Sequence, residues 1–426
     1  MLPTVVQNAT FLRRTLLRHT KMQQAVLIIC LLLIISYTAI IIYYVIAWLS
    51  LPNWQLATTQ PIPKGLADSP ITAQLSIIIP ARNEEDNIGA CIQSILNQSY
   101  SKNLYEIIVV NDHSTDATAS IVKTFNEPNI KCIDLINFIG NETNSFKKKG
   151  IEVGIAQANG ELIITTDADC VAPPNWLQTI AAFYEEKKPD LIVMPVSIFP
   201  SPSGVGLGVR FIEIFQALDF MTLQGITGSA VHKKIHSMCN GANLAYTKKA
   251  FNTVNGFAGI NNIASGDDMM LMHKIYSENK KGIVYLKSAA VIVQTKPVKT
   301  ITEFINQRIR WASKADKYED KRMLPVLIVV YFFNMLLLIL PIVAILSNFK
   351  FLIFNFQFST LQFWFWLLLF KVVIEIIFLI PIAKFFNKLP LLFLFPLMQP
   401  FHIIYTVIAG WLGKFGRYSW KGRQVK

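Results

Sequence analysis

Two carboxylates follow directly on an apolar, β-branched run of the sequence. The run from Glu161 to Thr166 reads ELIITT, and Asp167 and Asp169 then flank the small residue Ala168. This pattern predicts a buried strand that ends in an acidic turn. Two carboxylates at a strand end can hold Mg²⁺ or Mn²⁺ against a diphosphate, and the metal offsets charge as a phosphate bond breaks. A solvated acidic turn is the alternative, and the position after the strand favours the metal site.

A second acidic turn follows the run EIIVV. Asp112 closes this run within VVNDHSTD, which begins at Val109. A carboxylate at this point can accept hydrogen bonds from a nucleobase or a ribose. The alternative is an Asx turn that caps a helix starting at Ala117. Asp116 suits the capping role better, which leaves Asp112 for a ligand.

The third acidic turn is Gly266-Asp267-Asp268, which precedes the apolar stretch MMLMHKI. An N-cap role competes with a catalytic role for Asp267. Two adjacent acids in a partly dry cleft raise one of the two pKa values, which suits a carboxylate that removes a proton from a sugar hydroxyl. We assign this general-base role to Asp268, with Asp267 beside it.

The segment QRIRW places Gln307, Arg310 and Trp311 at spacings that share one face of a helix. Arg310 can grip a departing diphosphate, and Trp311 can stack on a sugar ring. The alternative is an amphipathic helix at a membrane surface, with the arginine extended towards water and the tryptophan at the lipid headgroups. The following basic residues, among them Lys314 and Lys317, fit that alternative, and both interpretations can hold together.

These residues require a scaffold that brings distant turns together. From Leu75 the chain alternates short β-branched runs with stretches of helical spacing, which predicts an α/β domain with a mostly parallel, Rossmann-like sheet. Ligands bind such sheets at the carboxyl ends of the strands. The three acidic turns are therefore expected to converge on one crevice.

The amino-acid composition indicates that the protein is associated with a membrane. The chain has 426 residues, of which 52% are hydrophobic, and a formal net charge of +13. Such an excess of positive charge is typical of loops that face the cytoplasm and anionic lipid, and it is not gathered on an aromatic-interleaved patch that would indicate nucleic-acid binding. Five cysteines without pairing pattern indicate a reducing compartment.

Long apolar runs place the membrane segments. The predicted organisation is an N-terminal segment (1–24), a membrane anchor (25–49), a linker (50–74), a catalytic α/β domain (75–299), an interfacial amphipathic segment (300–322), three C-terminal membrane segments (324–346, 361–380 and 389–412) and a basic tail (413–426). Lys371 and Glu375 inside the second C-terminal segment are four apart and can pair.

The charges conflict with a simple topology. Four basic residues before the anchor, from Arg13 to Lys21, would hold the N-terminus inside and place the long domain outside. Nucleotide sugars are cytosolic, so we hypothesise that translation starts at Met22, which removes all four charges. Three C-terminal crossings would also put the basic tail outside, so the segment 389–412 is either spanning or re-entrant.

Six motifs resemble the family 2 glycosyltransferases, which are inverting enzymes with a GT-A fold. They are IPARNEE from Ile79, VVNDHSTD from Val109, TTDADC from Thr165, CNGANLAY from Cys239, SGDD from Ser265 and QRIRW from Gln307. The resemblance implies the following roles: Pro80, Asn83, Glu84 and Asp112 on the nucleotide, Asp169 on the metal with Asp167 nearby, Asp268 as base, the QRIRW helix over the donor, and a lysine near Lys148.

The resemblance implies a hexosyltransferase at the inner (plasma) membrane, with its catalytic domain in the cytosol. Its partners would be a nucleotide-sugar donor, a lipid or glycan acceptor, and membrane lipids. One departure is Asp267 where the family often has glutamate. Two alternatives stay open: a processive polysaccharide synthase coupled to export, and a non-catalytic membrane scaffold on the same fold.

Overall fold

The computed structural model describes most of the chain. The described residues are 2–56, 71–139, 145–199, 206–235, 238–261, 263, 266–314, 320–346, 350–353, 356–416, 418–420 and 423–425. Most of the predicted linker, and Ser265 of the SGDD motif, lie outside them.

The catalytic part is built on β-branched strands buried on both faces. The strands are β1 (Leu75–Ala81), β2 (Tyr105–Asn111), β3 (Ile130–Asp134), β4 (Leu162–Thr165), β5 (Cys170–Val171), β6 (Leu191–Val193), β7 (Val196–Ile198), β8 (Leu244–Thr247), β9 (Ile283–Tyr285) and β10 (Val293–Thr295). A central seven-stranded sheet has the order β3-β2-β1-β4-β8-β6-β9. All of its pairings are parallel except those of β8 with β4 and β6. The predicted α/β fold with a mostly parallel sheet is confirmed.

A second small sheet lies beside the acidic turn after β4. It has the order β5-β10-β7, and Cys170 of β5 pairs with Thr295 of β10. This pairing brings the chain around residue 295 next to Asp169, although the two are far apart in sequence.

Helices cover the sheet and continue into the apolar part. They are α1 (Leu2–Ser50), α2 (Ile88–Leu96), α3 (Thr118–Thr124), α4 (Phe146–Ala156), α5 (Trp176–Lys187), α6 (Leu207–Lys233), α7 (Lys248–Thr253), α8 (Asp267–Glu278), α9 (Ile301–Ala312), α10 (Met323–Leu346), α11 (Thr360–Phe385) and α12 (Phe395–Phe415). Two hairpins, β11 (Lys350–Ile353) with β12 (Phe356–Ser359) and β13 (Tyr418–Trp420) with β14 (Arg423–Val425), follow α10 and α12 respectively, and short 3-10 helices lie at Lys102–Leu104, Leu135–Phe138, Ala289–Val291 and Leu389–Leu394. The predicted N-terminal segment and anchor form one continuous helix.

Four helical stretches among the described residues are long and apolar enough to cross a membrane. They are Gln23–Ser50, Met323–Leu346, Thr360–Phe385 and Leu389–Phe415. The predicted pair on α11 is present, because Lys371 Nζ lies 2.8 Å from Glu375 Oε1. Gln399 of α12 and Tyr37 of α1 bond to the same glutamate, so three apolar helices meet at one buried polar cluster.

The last helix, α12, contacts the catalytic part near both of its ends. Before it, Lys388 Nζ donates to the carbonyl of Ile198 at 2.5 Å. At its far end, Gly413 packs so closely on α9 that a Cβ at this position would lie 2.6 Å from Cβ of Ala312. Only a residue without a side chain permits this approach of two helices.

Candidate active site

A polar cavity of about 330 Å³ opens at the carboxyl ends of the central strands. Ten of the sequence-predicted residues line it: Pro80, Glu84, Asp112, Asp167, Asp169, Asp267, Asp268, Gln307, Arg310 and Trp311. The three acidic turns and one face of α9 therefore meet around a single space. Asn83 and Lys148 do not line it.

Asn83 supports the loop after β1 instead of facing the cavity. Its backbone has a φ of 52°, in the left-handed region that asparagine tolerates better than most residues. Its side-chain oxygen accepts from the backbone N–H of Thr115 at 2.9 Å, and its own N–H donates to Ser114 Oγ at 3.0 Å. Asn83 thus ties the loop after β1 to the turn after β2.

Asp112 stands at the end of β2 between two potential cations. Its Oδ1 lies 2.8 Å from His113 Nδ1 and 3.7 Å from an Arg82 guanidinium nitrogen. Asp116, in contrast, accepts from the backbone N–H of Thr118, the first residue of α3. Asp116 therefore bonds at the start of α3, and Asp112 is the carboxylate that lies at the cavity, as expected from the sequence.

Lys147, not Lys148, is the lysine that faces the cavity. Lys147 Nζ lies 2.7 Å from Asp167 Oδ1 and 3.4 Å from Asp267 Oδ2. Lys148 is buried and turns the other way, where its ammonium donates to the carbonyls of Ile260 and Ile263 at 2.7 and 2.8 Å. Neighbouring residues of a helix point about 100° apart, so the packing of α4 decides which of the two reaches the site.

Asp167 and Asp169 follow β4, as expected. Asp169 Oδ2 accepts from Thr295 Oγ1 at 3.3 Å across the small sheet, and Asp167 pairs with Lys147. Within the described part of the chain, no group of three or more histidine, cysteine or acidic side chains is arranged to hold a metal. Two carboxylates are an oxygen donor set that fits Mg²⁺ or Mn²⁺ when a diphosphate and water supply the remaining ligands.

Asp267 and Asp268 begin α8, with Gly266 as N-cap at a φ of 81°. Asp267 is therefore not the N-cap, which was the alternative to a role at the site. Asp268 Oδ2 accepts from the backbone N–H of Gly241 at 3.0 Å, and Oδ1 accepts from that of Met269 at 2.7 Å. These two bonds fix the carboxylate at the cavity wall.

The two aspartates are electrostatically unequal. Burial, and then the charge of Asp267, raises the pKa of Asp268. Burial also opposes ionisation of Asp267, but the nearby ammonium groups of Lys147 and Lys314 outweigh it and lower the pKa of Asp267. One carboxylate is therefore held ionised while the other is poised to take up a proton, which is the division that base catalysis requires.

Helix α9 is held in place both at its first turn and by a buried salt bridge further along. A capping box of Thr300 and Glu303 starts it, and the buried Arg308 anchors it to Asp219 of α6, with Nε to Oδ2 at 3.0 Å. The Arg308 guanidinium also stacks on the ring of Trp311 at 4.3 Å. This anchor sets the orientation in which Gln307, Arg310 and Trp311 face the cavity.

Sequence reasoning missed several basic residues that line the cavity, namely Arg82, Lys296 and Lys314, and it also missed the buried Arg308 that anchors α9. Lys314 lines the cavity and is 8% exposed, and burial lowers the pKa of its ammonium to about 8. Its spacing of four from Arg310 was a usable signal. No signal in the sequence indicated the salt bridge between Arg308 and Asp219, because the two residues are 89 positions apart.

We expect Asp219→Asn to destabilise the fold and to weaken donor binding, because it leaves the buried Arg308 without its counter-charge. Breaking a buried pair typically costs about 3–5 kcal/mol. Thermal unfolding of the full chain in detergent, with and without uridine diphosphate and Mn²⁺, measures both effects. Asp320→Asn is the matched control, because its 2.7 Å pair with Arg322 is partly exposed and should matter by about 0–1 kcal/mol. Equal losses in the two variants would contradict the anchoring role.

An α/β sheet with an acidic, cation-rimmed cavity at its strand ends defines a nucleotide-binding class of domain. Residues 76–253 match the family model described as glycosyl transferase family 2. This part of the chain is a glycosyltransferase family 2 domain, and the resemblance seen in the sequence is confirmed. The SGDD and QRIRW segments lie beyond the matched residues.

Two curated relatives each match less than a third of the chain. A probable glycosyltransferase YdaM of Bacillus subtilis is 33% identical over 126 residues, covering 29% of this chain and 28% of that protein. The poly(ribitol-phosphate) beta-N-acetylglucosaminyltransferase TarS of Staphylococcus aureus is 33% identical over 123 residues, covering 28% of this chain and 20% of TarS. The match therefore spans less than a third of either relative.

Among solved structures, a mannosyltransferase of Pyrobaculum calidifontis in complex with GDP-Man and Mn²⁺ aligns with a TM-score of 0.47 at 16% identity. The alignment covers 89% of this chain and 98% of that one.

Proposed function

We propose that this chain is a metal-dependent, inverting glycosyltransferase that moves a sugar from a nucleotide donor to a lipid-linked or cell-envelope glycan acceptor. The observation that carries the proposal is the meeting of Asp112, Asp169, Asp268 and Arg310 at one cavity. These groups come from four separate segments, and each has a chemical task in sugar transfer.

The nucleotide lies at the β1–β2 side of the cavity. Pro80 and Glu84 border this side, and Asp112 accepts hydrogen bonds from the base or ribose. Arg310 of α9, with Lys314 just after the end of this helix, stabilises the charge of the departing diphosphate. Trp311 offers a flat face to a sugar ring.

The transfer is a displacement at the anomeric carbon. The acceptor hydroxyl oxygen forms a bond to this carbon from the side opposite the diphosphate, and the carbon–oxygen bond to the diphosphate breaks with its electron pair. Asp268 takes the hydroxyl proton. The bonds from Gly241 and Met269 hold this carboxylate in place, and its raised pKa makes it a stronger base than an ordinary aspartate.

Asp169, with Asp167 beside it, would hold Mg²⁺ or Mn²⁺. When bound, such an ion supplies charge stabilisation to the diphosphate. Lys147 pairs with both Asp167 and Asp267, and its positive charge offsets the repulsion between these two cavity carboxylates.

We further propose that the catalytic domain faces the cytosol of a bacterial-type inner membrane. The contacts of Lys388, just before the last apolar stretch, with Ile198 and of Gly413 with Ala312 of α9 support a re-entrant or interfacial segment that does not cross the membrane. Three crossings, by α1, α10 and α11, then return the basic tail to the side of the catalytic domain, which agrees with the positive-inside rule.

The non-catalytic scaffold is disfavoured because every predicted acid of the site is present and lines the cavity. A scaffold derived from an enzyme would be free to lose such residues.

A donor panel tests the proposal. Purified full-length protein with Mn²⁺ is heated in the presence of several nucleotide sugars, and we expect one class of donor to raise the unfolding temperature. At one hundred times the dissociation constant, a ligand stabilises by about 2.7 kcal/mol. Stabilisation should disappear with a metal chelator. No shift with any donor, together with no donor hydrolysis, would overturn the proposed activity.

A further inference from the structure

A second, larger cavity lies among the apolar helices. It has a volume of about 460 Å³, within the range of roughly 300–1,000 Å³ that small-molecule sites occupy. Its walls come from α1, α6, α9, α10, α11 and α12, and most of the lining side chains are aliphatic or aromatic. Three of these helices are the proposed membrane crossings, so the cavity lies at the depth of the bilayer.

The cavity opens towards lipid. Leu324, Leu327, Ile328 and Phe332 all line it and are all more than a third exposed. They occupy the first turns of α10, close to the catalytic part. A side opening rimmed by exposed apolar residues admits the tail of a bilayer lipid, because no polar barrier separates the two environments.

Most of the charged groups of the walls are paired within the protein. Asp219 pairs with Arg308, and Glu375 pairs with Lys371. Lys414, near the end of α12, is the further charged residue of the lining. The aliphatic and aromatic side chains that make up most of the lining offer few partners for hydrogen bonds. A hydrophilic glycan chain would lose its hydration in such a space without replacement, which argues against use as an export channel for polysaccharide.

The two cavities meet at Trp311. Among the described residues, it is the one side chain that lines both the apolar cavity and the acidic cavity that contains Asp268. The two cavities are therefore neighbours, and the head group of a molecule in the apolar cavity would lie beside Trp311, on the side of the proposed base.

From the shared wall at Trp311 and the apolar lining we propose that the apolar cavity binds the hydrocarbon tail of the acceptor, and that the acceptor is a hydroxyl-headed membrane lipid. The inference rests on the proposed function and narrows its acceptor class. The lipid hydroxyl oxygen forms the new bond to the anomeric carbon, its proton passes to Asp268, and the nucleoside diphosphate leaves with the electrons of the broken bond.

The experiment uses the full-length protein in phosphatidylcholine vesicles. Hexadecanol with a diazirine on its chain is added, irradiated and mapped by mass spectrometry. We expect labels on cavity residues such as Leu218 and Thr222, and we expect excess plain hexadecanol to remove them. Leu327→Trp fills the mouth and should lower labelling about tenfold, the equivalent of about 1.4 kcal/mol.

Ile339→Trp is the matched control, because Ile339 is an exposed apolar residue of the same helix that does not line the cavity. Its labelling should equal that of the wild type. Labels confined to the bilayer-facing surface, or an equal loss in both variants, would overturn the lipid site.

Wild-type donor hydrolysis and the transfer of radiolabelled sugar into extractable lipid are measured in the same vesicles. Hydrolysis without cavity labelling overturns the lipid site and leaves the transferase standing. Labelling without any hydrolysis supports the site and overturns the proposed transferase.

Discussion

Asp268→Asn is expected to abolish sugar transfer while donor binding stays near that of the wild type. The amide keeps the size of the carboxylate, and its single oxygen can still accept from one of the two N–H groups, of Gly241 or of Met269, but the amide cannot take up the acceptor proton. General-base catalysis contributes about 10²–10⁴-fold, so kcat should fall by at least the lower figure. Transfer of radiolabelled sugar and calorimetric binding of uridine diphosphate measure the two properties.

Asp86→Asn serves as the control, because Asp86 is exposed and does not line the cavity. It should leave both properties unchanged. If Asp268→Asn retained most of its turnover, the base would have to be another residue, and Asp267 would be the next candidate.

The pH dependence of the wild type provides a second readout of the same group. Asp268 must be ionised to act as base, and burial together with Asp267 raises its pKa. Activity should therefore fall, as the pH is lowered, at a higher pH than the ordinary aspartate pKa of about 3.9 would give. In Asp268→Asn, the residual rate should lack this acidic limb.

The site residues whose positions depend on a single strand or helix could be predicted from the sequence. The strand before Asp167 and Asp169 and the strand before Asp112 are both readable from β-branched runs, and parallel strands share a carboxyl edge. Convergence of the acidic turns then follows from the sheet alone. The spacing of Gln307, Arg310 and Trp311 similarly needs only the helical period.

The parts that sequence could not supply depend on long-range packing. The side chains of Lys147 and Lys148 differ only in the direction in which they point from α4. The carbonyl groups that accept hydrogen bonds from Lys148 lie 112 and 115 residues further along the chain, so the local sequence does not indicate which lysine faces the cavity. The path of α12 is also invisible locally, because its hydropathy suits a spanning helix. The contacts of Lys388 with Ile198 and of Gly413 with Ala312 carry the proposal that it is re-entrant, and neither contact is visible in the local sequence.

Asp169→Asn is expected to remove most of the dependence on Mn²⁺ by weakening the metal–donor complex. A neutral amide loses the charge attraction that a carboxylate offers to a divalent ion. Outer-shell changes at metal sites typically cost about 10–100-fold in affinity or activity, so loss of a direct ligand should exceed that range. Titration of Mn²⁺ against bound uridine diphosphate measures the apparent metal affinity.

Two comparisons make this metal assignment specific. Asp190→Asn, which removes a charge outside the cavity where Asp190 accepts from Asn279, should leave the Mn²⁺ titration unchanged. Asp167→Asn should have a smaller effect than Asp169→Asn, because Lys147 already occupies one Asp167 oxygen at 2.7 Å. A larger effect of Asp167→Asn would mean that Asp167 is the main metal ligand and that Asp169 is the neighbouring carboxylate. An unchanged titration in both variants would mean that the metal does not bind through this turn, and that Arg310 and Lys314 alone neutralise the departing diphosphate.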